Sequence, residues 1–159
     1  GYVKLRGLQG AAERNGQVGV ITEFDSGAGR YTVTLRDGSL LRVRRPNLLQ
    51  MIDVRLVSLE GGGSVHNGAT ATVFDFDENA ALYGVELVSG DALPVPIGSA
   101  LLPDGTIGIV SGLQAASAAA LNGELARVLS HDDEAGRYLI ETTGGKQLKV
   151  RRHCVVLSG

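Results

Sequence analysis

The sequence predicts an all-β protein made of three tandem copies of one small unit. Three observations carry the prediction. Five residue types recur three times at matched offsets, apolar residues alternate with a period of two, and turn residues fall at fixed places in each copy. Length alone points elsewhere, because 159 residues is an ordinary size for one domain. The composition is globular, with 43% hydrophobic and 20% charged residues, whereas a disordered chain is poorer in apolar side chains. Glycine is unusually abundant at 23 residues, and aromatics make up only 4%. Many glycines with few large side chains mean many turns and several small cores.

The repeat is anchored on Asn-Gly, found at Asn15-Gly16, Asn67-Gly68 and Asn122-Gly123. An Asp follows each Asn by 10 residues (Asp25, Asp77, Asp132) and a Tyr by 16 (Tyr31, Tyr83, Tyr138). A Gly follows each Tyr by 7 (Gly38, Gly90, Gly145) and a Val by 12 (Val43, Val95, Val150). Only one segment varies in length: Leu8, Leu59 and Leu113 precede their Asn by 7, 8 and 9 residues. A segment that absorbs insertions while its flanks keep register is a surface loop. The units are therefore 1–50, 51–106 and 107–159.

Within unit one, Val3 and Leu5 open a first strand, and Val18, Val20 and Thr22 alternate with smaller or polar residues. Tyr31, Val33 and Leu35 alternate with Thr32, Thr34 and Arg36, and Leu41 and Val43 with Arg42 and Arg44. Alternation of this kind marks half-buried strands. Asp37-Gly38 between the last two runs is a hairpin signal, and Gly144-Gly145 serves the same turn in unit three. Asp25, Asp77 and Asp132 open the preceding turn, where a carboxylate accepts backbone N–H groups. Gly16, Gly68 and Gly123 follow an Asn in a turn that calls for positive φ. Helix is nearly absent; Ala115 to Ala120 reaches one turn at most. Each unit reads as four or five short strands with one longer loop. Pro94 and Pro96 both lack an N–H on the same side, so the last strand of unit two is a sheet edge or is covered by something other than a sheet.

These residues carry a resemblance. The succession Gly-Leu-Gln, loop, Asn-Gly, Phe-Asp, Gly-Arg-Tyr, Asp-Gly and Val-Arg-Arg-Pro-Asn-Leu resembles a small SH3-like repeat. Such repeats occur in multidomain proteins of algae and other protists. The layout is also similar to KOW-type barrels and to SH3-like subunits of organelle complexes. The resemblance spans nearly the whole chain, strong in units one and three and degenerate in unit two, where Ala81-Leu82 replaces Gly-Arg. It implies three tandem small SH3-like β-barrels with a binding or scaffolding role, and it implies no catalytic residues.

Charge divides unevenly. Eight cations and four anions give unit one +4, one against eight gives unit two −7, and six against five gives unit three +1. The basic strands Arg42, Arg44, Arg45 and Lys149, Arg151, Arg152 are the candidate partner surface. Three readings compete: a solvated edge that deters pairing, a contact for an acidic protein, and a phosphate patch. Nucleic-acid modules usually set stacking aromatics beside their cations, and these strands have none. A net charge of −2 also disfavours bulk polyanion binding. Other proteins of a larger complex are the expected partners, with a KOW-like RNA- or ribosome-associated role as the alternative. The recurrent tyrosines read as core or rim residues, because a ligand cage needs several aromatics together.

Nothing in the chain specifies a reaction, and the expectation is a non-enzyme with no cofactor and no metal. A Cys154–His131 dyad is conceivable, but Cys154 aligns with Asn47 and Ser99 at an ordinary strand end. His153 beside Cys154 has no second ligand pair for zinc. Gly61-Gly62-Gly63-Ser64 lacks the Lys of a phosphate loop. No apolar run approaches the length of a membrane-spanning helix. The single Cys excludes an internal disulfide, which fits a reducing compartment or organelle interior. Gly1 without a Met implies a processed form or a piece of a longer chain.

Overall fold

Each copy of the repeat folds into one five-stranded antiparallel sheet. The structure, a computed structural model, describes residues 1–157, so the expected end of unit three at 159 lies outside them. Repeat one contains β1 (Tyr2–Leu5), β2 (Val18–Asp25), β3 (Arg30–Leu35), β4 (Leu40–Val43) and β5 (Leu48–Gln50). Repeat two contains β6 (Asp53–Leu56), β7 (Thr70–Asp77), β8 (Leu82–Leu87), β9 (Ala92–Pro96) and β10 (Ala100–Leu101). Repeat three contains β11 (Ile107–Val110), β12 (Leu125–Asp132), β13 (Arg137–Thr142), β14 (Gln147–Arg151) and β15 (Val155–Val156). The strand order is the same each time, β4-β3-β2-β1-β5 in the first. Between β4 and β5 lies a single 3-10 turn, Arg45–Asn47. The Ala-rich stretch of repeat three contributes another short one, Ala119–Leu121.

The expected barrel is not closed. β4 and β5 stand at opposite ends of the sheet, and no ladder joins them among the described residues. The closing strand is short, three residues in repeat one and two in the others, and its one ladder is with β1, β6 or β11. The two prolines sit as expected on an edge: β9 pairs only with β8, through Leu82↔Pro96 and Gly84↔Pro94.

Two compact units result, Gly1–Ile52 and Asp53–Leu157. Repeat one forms the first, and repeats two and three together form the second. The core of repeat one is Val3, Leu5, Val33, Leu35, Val43 and Leu48, with Ile21, Tyr31 and Leu41 packed against it. In β2 the alternation runs opposite to the expected phase. Gly19 and Ile21 face inward, opposite Leu35 and Val33, and Val20 faces out. The inward site has no room: a Cβ on Gly19 would lie 2.5 Å from Val33 Cγ1 and 2.7 Å from Thr34 O. In the other repeats Ala71 and Ala126 occupy the same buried site.

A bulge follows at the same place in all three long strands, between Ile21 and Glu23, Val73 and Asp75, and Val128 and Ser130. One extra residue reverses the facing of everything after it. Phe24, Phe76 and His131 are thereby set directly opposite Tyr31, Tyr83 and Tyr138. The Phe24 and Tyr31 rings are 4.5 Å apart and those of Phe76 and Tyr83 are 5.5 Å apart.

The turns follow the residues that announce them. Gly16, Gly68 and Gly123 take φ of 87, 89 and 91°. Asp25 Oδ1 accepts from the N–H groups of Gly27 and Ala28, and Asp77 and Asp132 accept from Ala80 and Ala135. Asp37-Gly38 closes a three-residue hairpin loop: Gly38 N donates to Leu35 O and Leu35 N donates to Ser39 O. Gly38 there has φ 85°, the left-handed residue such a loop requires.

The Asn of each Asn-Gly does more than turn the chain. Asn15 Oδ1 accepts from Leu8 N while Asn15 Nδ2 donates to Leu8 O, at 2.8 and 3.0 Å. Asn67 holds Leu59 in the same way, and Asn122 holds Leu113. The variable loop is thus pinched at its base by one side chain, whatever its length.

Candidate interaction surfaces

The recurrent tyrosine has two fates. Tyr83 and Tyr138 are fully buried, and each reaches the other's repeat. Tyr83 Oη accepts from Leu157 N of repeat three, and Tyr138 Oη accepts from Leu102 N at the end of repeat two, both at 2.8 Å. Tyr138 Oη also donates to Ala100 O. The contact is reciprocal, like that between two subunits related by a two-fold axis. Burial raises both hydroxyls above the ordinary tyrosine range, Tyr138 to about 12. Tyr31 is only half-buried, and its hydroxyl accepts from Arg45 Nη1 at 2.7 Å. The residue aligned with Leu102 and Leu157 is Gln50 in repeat one, the visible sequence difference.

The basic candidates divide accordingly. Arg152 is built into the repeat two–repeat three contact, donating from Nε to Gly98 O and from Nη2 to Ser58 Oγ. Arg55 and Asp133 add an ion pair at 3.6 Å across the same contact. Arg45 is turned onto Tyr31, its guanidinium 5.9 Å from the ring centre. Arg42 is exposed and paired with Asp25 at 2.7 Å. The Ala28 N–H, then that of Gly27 and the Arg42 charge, hold the Asp25 carboxyl below its usual range. Arg44, Lys149 and Arg151 are exposed. The structure therefore brings Lys149 and Arg151 together, and assigns Arg45 and Arg152 to packing.

An apolar row was not visible in the sequence. Tyr2 pairs with Val20, Val20 with Thr34, and Thr34 with Leu40, so the four lie side by side on the outer face of repeat one. Tyr2, Val20 and Leu40 are 64, 38 and 65% exposed. The same row is Asp53, Thr72, Glu86 and Ala92 in repeat two, and Ile107, Arg127, Glu141 and Gln147 in repeat three. Recognising it needs the pairing register, which the bulge and the inverted phase of β2 conceal.

A groove of about 550 Å³ runs along the free edge of β14 in repeat three. Arg137, Lys149, Arg151 and His153 line it, with Leu113 and Leu148 as apolar wall, and no carboxylate lines it. None of these four basic side chains forms an ion pair among the described residues. Cys154 also lies at the groove but is nearly inaccessible, and burial pushes its thiol up, away from nucleophilic character. His131 contacts Asp104 and Asp133, at 3.6 and 3.8 Å.

Among the described residues, no three His, Cys, Asp or Glu lie close enough to share a metal, and no helix is long and apolar enough to cross a membrane. In comparison with known proteins, no family model matches the chain and no curated protein matches it.

Proposed function

We propose that the chain is a non-enzymatic protein-interaction and scaffold module of three SH3-like repeats, working as a subunit or piece of a larger assembly. The exposed row Tyr2–Val20–Thr34–Leu40 is the observation that carries this reading. Exposed apolar side chains set side by side mark a protein contact, and the matching rows carry charges instead, Asp53 and Glu86 in repeat two and Arg127 and Glu141 in repeat three. The reciprocal tyrosine contact supports the same reading, since it shows this repeat associating with its own kind. A reducing setting suits the buried thiol of Cys154.

The test is co-purification. Wild-type chain and Leu40→Asp are compared by native pull-down and mass spectrometry. A partner retained by wild type and lost by the variant supports the proposal; identical captures oppose it. The KOW-like alternative would place RNA phosphates against Arg137, Lys149 and Arg151 in the carboxylate-free groove of repeat three. It requires RNA binding that weakens steeply with added salt.

A further inference from the structure

We propose that the groove along β14 of repeat three is a docking site for an acidic, extended protein segment that adds to the sheet edge. This deepens the protein-interaction reading and rests on it, but uses a different repeat from the apolar row. Three observations lead to it. First, β14 is the outer strand of its sheet, pairing only with β13, so its other edge is open to an added strand. Second, the charge is one-sided: Arg137, Lys149 and Arg151, with His153 beside them, line the groove without a carboxylate among the lining residues or an ion pair of their own. Third, repeat two has lost this property and repeat one keeps it only in part. Repeat two has Leu82, Pro94 and Pro96 at the positions of Arg137, Lys149 and Arg151. Repeat one keeps Arg30, Arg42 and Arg44 there, but Arg42 is paired with Asp25 and Arg30 Nη1 donates to Arg42 O, which leaves Arg44 as the one cation of the three without such a contact.

The lining favours peptide over RNA. Leu113, Leu148, Ala115 and Ala118 offer apolar seats for alternate side chains of a strand, and no aromatic lines the groove to stack a base. Complementary charge steers such a segment and fixes its register.

The experiment measures binding of the full chain to two probes by fluorescence anisotropy. One is a peptide alternating Glu with Val or Leu; the other is a single-stranded RNA of equal charge. The expected result is peptide binding that weakens with salt and falls about tenfold or more in Lys149→Glu/Arg151→Glu. Both sites are exposed, and circular dichroism verifies folding. Arg44→Glu and Leu40→Asp should leave the peptide affinity unchanged. Three results would each overturn the proposal: no peptide binding, peptide binding indifferent to the double variant, or RNA bound more tightly than peptide. Loss of partners in Leu40→Asp with no peptide binding would leave the protein-interaction reading standing and remove the groove alone.

Discussion

Tyr138 shows how one hydroxyl can join two repeats. Its Oη accepts from Leu102 N and donates to Ala100 O. Tyr138→Phe leaves a buried N–H without its partner and should cost about 1–3 kcal/mol, measured by denaturant unfolding. The pH dependence has a definite sign. The folded hydroxyl holds its proton more tightly than the unfolded one, whose value is near 10. Its contribution is therefore complete below pH 10 and is lost as pH rises through about 12. Tyr138→Phe should show a shallower alkaline decline than wild type. Cys154 gives a second residue-scale prediction. Buried and shifted upward, its thiol should react slowly with an alkylating reagent at neutral pH in the native chain and rapidly after unfolding.

At the scale of strands and loops, the repeated sheets were legible because their signals are local. Period-two alternation, Asp-Gly and Asn-Gly turns and paired prolines each act over a few residues. The inverted phase of β2 was not legible. A glycine facing inward under Val33 and Leu35 looks in sequence like the polar side of a strand. Gly19→Val should therefore destabilise by about 2 kcal/mol or more, because the clash involves backbone Thr34 O, which cannot rotate away. The candidate site was half legible: Lys149 and Arg151 stand out as a basic strand, but the groove depends on Arg137 and the loop at Leu113, distant in sequence. The Asn clamp had a signal, a fixed Leu and a fixed Asn around a loop of changing length. Asn122→Ala removes both bonds to Leu113 and should cost about 1–2 kcal/mol, with faster proteolysis inside that loop as the readout.

For the molecule as a whole, length suggested one domain and the repeats suggested three, whereas the packing gives two units. Which repeats join could not be read from unit boundaries. It depends on Leu102 and Leu157 reaching tyrosines 36 and 74 residues away. Calorimetry should show repeats two and three melting together. Arg152→Ala, which removes the bonds to Gly98 O and Ser58 Oγ, should lower that shared transition without splitting it. The reciprocity of the tyrosine contact has a consequence for growth by duplication. In a solenoid each unit presents one face backward and a different face forward, so stacking continues and every added unit contributes alike. A reciprocal contact uses the same face on both members and is saturated by two. Arrays of this repeat would gain stability in steps of two, and their cooperativity would not spread along the chain. Parity, rather than number, would decide whether every repeat has a mate.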